Sequence, residues 1–176
     1  MRFMSQNIII IGFSRPKRML LPVLSWIIRL VEGTPYSHCY IKWWSTSFDR
    51  WIVYQASGLA VNFVGNTRFA EHSLIIKEFQ LPVSEKEFEN LLGWAIDMSG
   101  TSYGFLHLVG IGVVKFASLF GKKIANPFSG EQQVCAKLIG LALRDVLKQG
   151  IDIDLASAGV KDVYSIVESL PQSIPI

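Results

Sequence analysis

Cysteine is scarce in this sequence. Cys39 and Cys135 are the two in 176 residues, which excludes a disulfide-dense scaffold and a four-cysteine zinc site. One bridge or two free thiols remain open. With three histidines added a mixed metal site is possible, but no Cys-x-x-Cys or His-x3-His spacing supports it. Charge is also scarce: 18% of residues, 17 basic against 14 acidic, with a net charge of +3. That is too mild for nucleic-acid binding, and the basic residues form no run beyond Arg15-Pro16-Lys17-Arg18. Long apolar runs are missing too. Phe105 to Phe120 has 16 residues and contains His107 and Lys115, below the ~18–20 that span a bilayer. Met19 to Val31 is interrupted by Pro22 and Arg29, and Ile8 to Ile11 is too short for a signal-peptide core. The expectation is a soluble chain without a signal peptide, cytoplasmic when made.

What is present is apolar. Half the residues are hydrophobic and 12% are aromatic, with a mean hydropathy of +0.33. This excludes a disordered chain, a collagen and a coiled coil. It allows a sizeable core and leaves apolar surface for a membrane or a larger assembly. The length fits one domain, residues 1–176.

Period and punctuation predict the elements. Ile8–Phe13 is β-branched and short, a buried strand, followed by a polar turn from Ser14 to Arg18. Leu20 to Glu32 carries one apolar helical face, with Pro22 in its first turn and Gly33 as its cap. From Ser37 the period is two: strands 37–44, 50–57, 58–64 and 73–81 follow with short connections, an antiparallel sheet. Ser84 and Glu87 form a capping box for a helix to about Ser99. Helices are expected at Phe105–Phe120, at about Glu131–Lys148 and at Ser157–Leu170. The order of helix, sheet, then helices is an α+β pattern, a sheet packed against helices.

Three polar residues carry the chemistry. Cys135 falls in the opening turns of the third predicted helix, where backbone N–H groups lower a thiol pKa and can bind an oxyanion. A histidine beside it would complete a nucleophile–base pair. Cys135 also shares a helical face with Leu138, Ile139, Ala142 and Val146, so a buried core cysteine is the other reading. A helix capped by Ser129 would bury Cys135 a full turn inside; catalysis requires a start nearer Gln133. His38 and Tyr40 point to one face of their strand, Cys39 and Ile41 to the other. Parity therefore makes Cys39 a packing residue, aimed away from the site and unable to bridge to Cys135. If Trp44 pairs with Trp51, then Gln55 lies diagonal to His38 on the same face. It either accepts from the imidazole Nδ1–H or is a strand glutamine bonded to backbone. His72 reads as surface, and His107 as a core or interface histidine.

Tyr36-Ser-His-Cys-Tyr-Ile41, Tyr54-Gln-Ala-Ser-Gly58, Gly100-Thr-Ser-Tyr103 and Val134-Cys-Ala-Lys-Leu138 together resemble the circularly permuted NlpC-like papain-fold hydrolases. The order is diagnostic: histidine on an early strand, a polar residue on the next, cysteine late on a helix. The YiiX/YebB-like cysteine hydrolases and the lecithin:retinol acyltransferase-like proteins share it. The resemblance covers about residues 8 to 147. It implies Cys135 as nucleophile, His38 as base and Gln55 as the group orienting the imidazole. Tyr103, in the turn that lines the site, and Tyr36 become substrate-binding residues.

The resemblance implies a permuted papain-like fold and a cysteine peptidase or amidase that needs no metal and no cofactor. The reaction is amide cleavage, with peptidoglycan peptides as substrate class. Two alternatives stay open: a lipid acyltransferase or thioesterase of the same fold, and a structural or binding component of a phage particle or secretion assembly. Either the cell envelope or a virion would then be the destination.

Overall fold

The isoleucine run does form a strand, and that strand is central. The computed structural model describes residues 7–17, 22–57, 60–102, 117, 121–122, 124 and 134–176. Strands β1 (Asn7–Pro16), β2 (His38–Ser45), β3 (Arg50–Ser57), β4 (Ala60–Gly65), β5 (Ser73–Val83) and β6 (Ile174–Pro175) make one sheet. Its order is β4-β3-β2-β1-β5-β6, and every pairing is antiparallel. The helices are α1 (Pro22–Glu32), α2 (Asn66–His72), α3 (Glu85–Met98), α4 (Cys135–Leu141) and α5 (Val160–Ser169). A wider π-helical turn, Ala142–Val146, continues α4.

The predicted α+β class holds: a six-stranded antiparallel sheet packs against helices. One face carries the main core. Ile9, Ile11 and Phe13 of β1 and Cys39, Ile41 and Trp43 of β2 meet Leu91 of α3, Leu138 of α4 and Val163 of α5. The other face is covered by α2, whose Phe69 packs on Tyr40 and Val53.

Local signals explain several boundaries. Gly33 has φ +64, and the Thr34 N–H donates to Arg29 O at 3.1 Å, the bond that closes a helix beyond a left-handed residue. Ser84 caps α3 in the predicted box: its N–H donates to Glu87 Oε2 at 2.8 Å and its Oγ accepts from Glu87 N at 3.3 Å.

Three expectations are corrected. β1 runs through Pro16 instead of turning at Ser14, because Ser14, Arg15 and Pro16 pair with Ile75, Leu74 and Ser73 beyond a register shift. The connection before β5 is a helix, α2, and His72 is its exposed last residue. The third predicted helix begins at Cys135, not near Glu131, with Val134 extended as its cap (φ −112, ψ 158). The predicted helix Phe105–Phe120 and His107 lie outside the described residues, Ala117 apart.

Candidate active site

The site forms where two strands part. β2 and β3 are laddered from Ser45↔Arg50 to Ile41↔Tyr54, with Trp44 opposite Trp51 as the sequence predicts. Past that point His38–Tyr40 and Gln55–Ser57 are not laddered to each other. In this register Gln55 lies diagonal to His38. His38 Nε2 lies 2.9 Å from Gln55 Oε1, and since an amide oxygen only accepts, Nε2 carries the proton. The nitrogen is Nε2 rather than the expected Nδ1, so Nδ1 is the ring nitrogen that Gln55 does not hold.

Gln55 is itself held. Its Nε2 donates to Asn62 Oδ1 at 3.5 Å, Asn62 being its direct cross-strand partner. Asn62 Nδ2 donates to Ala60 O at 3.3 Å. This chain turns the Gln55 carbonyl toward the imidazole. Sequence reasoning missed Asn62. Its signal is modest: the one polar side chain within Ala60-Val-Asn-Phe-Val-Gly65.

Cys135 comes from the other face of the sheet. It is the first residue of α4 and is buried in the main core. The first intrahelical bond runs from Leu138 N–H to Val134 O at 2.9 Å, so the Cys135 and Ala136 N–H groups precede the helix's own bonding. Cys135 and Cys39 are both buried in the main core, and Cys39 and His38 both bear on the Cys135 thiol. Parity did aim Cys39 and His38 to opposite faces. Cys39 packs in the main core, as expected, in the same cluster as Cys135. Both thiols are free.

These contacts divide the charge. The Cys39 hydrogen bond lowers the Cys135 pKa; burial opposes it, and the His38 hydrogen bond and charge lower it further, so the thiol lies well below its ordinary 9.0. Burial pushes the Cys39 thiol up, as do Cys135 and Glu32. Burial alone would lower the His38 pKa, but the hydrogen bond and charge of Cys135 and the hydrogen bond of Gln55 outweigh it and raise it above 6.5.

The surroundings exclude water from one flank. Tyr40 and Phe69 rings lie 6.5 Å from the His38 ring. Tyr40 is pinned by donation to Glu78 Oε1 at 2.5 Å, and Lys42 pairs with the same carboxylate at 2.6 Å. Tyr36 is a core residue here rather than a wall of the site: it is buried and stacked on Tyr164 at 5.1 Å. Tyr103 lies outside the described residues.

No family model matches the chain, and no curated protein matches it. Among solved structures, the metalloprotein YiiX from Escherichia coli O157:H7, a DUF1105 protein, is similar over 97% of this chain and 95% of its own, at 14% identity and a TM-score of 0.60. Among the described residues here, no three His, Cys, Asp or Glu side chains gather in a group that could hold a metal ion. No helix of the described residues is long and apolar enough to cross a membrane. Similarity at this identity shows the fold: the chain has a YiiX-like fold.

Proposed function

We propose that the chain is a cysteine hydrolase of permuted papain-like type, cleaving an amide through an acyl-enzyme on Cys135. The observation that carries the reading is the His38 imidazole, its Nε2–H held by Gln55 at 2.9 Å, beside a buried Cys135 whose pKa it lowers. A nucleophile, a base and a group that orients the base are the three parts such chemistry needs. Cys135 Sγ attacks the carbonyl carbon, and backbone N–H groups at the start of α4 face the oxyanion. His38 gives a proton to the leaving amine, then takes one from the water that hydrolyses the thioester. Peptidoglycan peptides are the proposed substrate class. The similar structure is a metalloprotein, but no step here is routed through a metal.

A second reading is the same chemistry on a lipid acyl ester or thioester. One observation favours it: Ser25 of α1 bonds Ser37, next to His38, at 2.6 Å, and the adjacent Trp26 and Leu30 are 55% and 64% exposed.

Turnover of peptidoglycan stem peptides and of acyl esters by the purified chain tests both, with intact-mass detection of a Cys135 adduct. Amide turnover lost in Cys135→Ala supports the first reading, and ester turnover alone supports the second. Turnover of neither, together with a Cys135 that resists alkylation, points to a binding module of a larger assembly.

A further inference from the structure

The group that holds His38 is an amide, and an amide has two ends. A carboxylate only accepts, so beside a histidine it fixes which ring nitrogen carries the proton. A glutamine can present either its oxygen or its NH2, and something must choose for Gln55. The choice is made from the neighbouring strand. Ala60 O can only accept, so Asn62 turns its Nδ2 to it, at 3.3 Å. Asn62 Oδ1 then faces Gln55 Nε2 at 3.5 Å, and Gln55 Oε1 faces His38 Nε2 at 2.9 Å. Each bond is directed by the one before it. Gln55 and Asn62 stand directly opposite in the β3–β4 ladder, and Gln55 is buried, so water competes little for its amide. The origin of the chain of bonds is held as well. β4 is an edge strand, and the turn after α3 covers that edge at Val61, between Ala60 and Asn62. Val61 N–H donates to Thr101 O at 3.0 Å, and Gly100 N–H donates to Val61 O at 2.9 Å.

We propose that Asn62 is a positioning residue of this site, acting through Gln55 to keep the neutral His38 proton on Nε2 and leave Nδ1 free as the base. The proposal rests on the hydrolase reading and deepens it. It accounts for a neutral amide beside the imidazole: the direction that a carboxylate carries in itself is supplied here by Ala60 O and Asn62. The opposite direction is closed off. With the Gln55 amide reversed, His38 Nε2 would have to accept, and Gln55 Oε1 would meet Asn62 Oδ1, two acceptors with no proton between them. Asn62 cannot reverse in turn, because its Oδ1 would then meet the Ala60 carbonyl oxygen. No covalent bond is made or broken; what is set is the nitrogen that holds the ring proton.

The test is the tautomer of the His38 ring, read from ring-nitrogen NMR shifts of the isotopically labelled full chain at a pH where the ring is neutral. The parent should hold the Nε2–H form. Asn62→Leu should raise the ratio of Nδ1–H to Nε2–H about fivefold, the worth of one neutral hydrogen bond. Asn62→Asp, which still accepts from Gln55 Nε2, should stay near the parent. Gln55→Glu should cancel the effect: with a carboxylate beside the ring, adding Asn62→Leu should leave the Nε2–H form in place. A merely structural role for Asn62 would not be cancelled in this way. Should Asn62→Leu not fold, Asn62→Ala takes its place. An unchanged ratio in a folded Asn62→Leu or Asn62→Ala, or a parent in the Nδ1–H form, would overturn the proposal. The hydrolase reading is tested separately, by amide turnover of the parent that Cys135→Ala abolishes. An unchanged ratio in an active chain removes Asn62 alone; a shifted ratio in an inactive chain keeps the role of Asn62 and removes the hydrolase.

Discussion

Cys135 is buried, which by itself raises a thiol pKa; Cys39 and His38 act the other way and lower it. The sign of the pH dependence follows from the shifts. The lowered Cys135 pKa means the thiolate is lost only as pH falls through that lowered value. The raised His38 pKa means the imidazolium is lost as pH rises through a value above 6.5. Turnover should therefore be bell-shaped in a rate–pH profile, and His38→Ala, which should lose turnover, should also move the pH midpoint of Cys135 alkylation upward. Gln55→Ala should lower turnover and leave the fold intact, because one neutral hydrogen bond is worth only ~1 kcal/mol. Gln55→Glu should retain activity, since a carboxylate accepts the same bond and favours the imidazolium. Equal turnover in parent and Gln55→Ala would remove Gln55 from the site. At this scale the His38–Gln55 pair was legible because strand parity and pairing register locate side chains. Asn62 behind it was not. Register says which residues stand opposite, not which polar side chains will bond.

Elements set the reach of those side chains. Gly12 lies between Tyr40 of β2 and Glu78 of β5, and a Cβ there would stand 2.1 Å from Tyr40 Cζ. Gly12→Ala should therefore displace the Tyr40 ring and destabilise the chain by about 1–3 kcal/mol, measurable by urea unfolding. Ser84→Ala removes the α3 cap and should cost ~1 kcal/mol in the same assay, with no effect on Cys135. The strands and α3 were readable because alternation and a capping box are local signals. α2 was not: seven residues bury only Phe69, too little for a helical period to show. The start of α4 was hidden for a related reason, since Val134 caps it with no side-chain bond and leaves no residue signature.

At the scale of the molecule, the site depends on packing. α4 presents Cys135 at the sheet because Leu138, Ile139 and Leu143 are fully buried behind it. Leu138→Ala should cost about 2–5 kcal/mol and also slow Cys135 alkylation, because the helix that aims the sulfur loses its seat. The α+β class could be read from the order of periods along the chain. The return of β5 to the free edge of β1 could not, because either edge of the sheet accepts a fifth strand. The most direct measurement is the thiolate ultraviolet absorbance of the native, reduced chain at neutral pH, against Cys135→Ala. The account predicts one thiolate per chain, absent in Cys135→Ala and lost in denaturant. Absorbance that rises only through the ordinary thiol range, alike in both proteins, would contradict it.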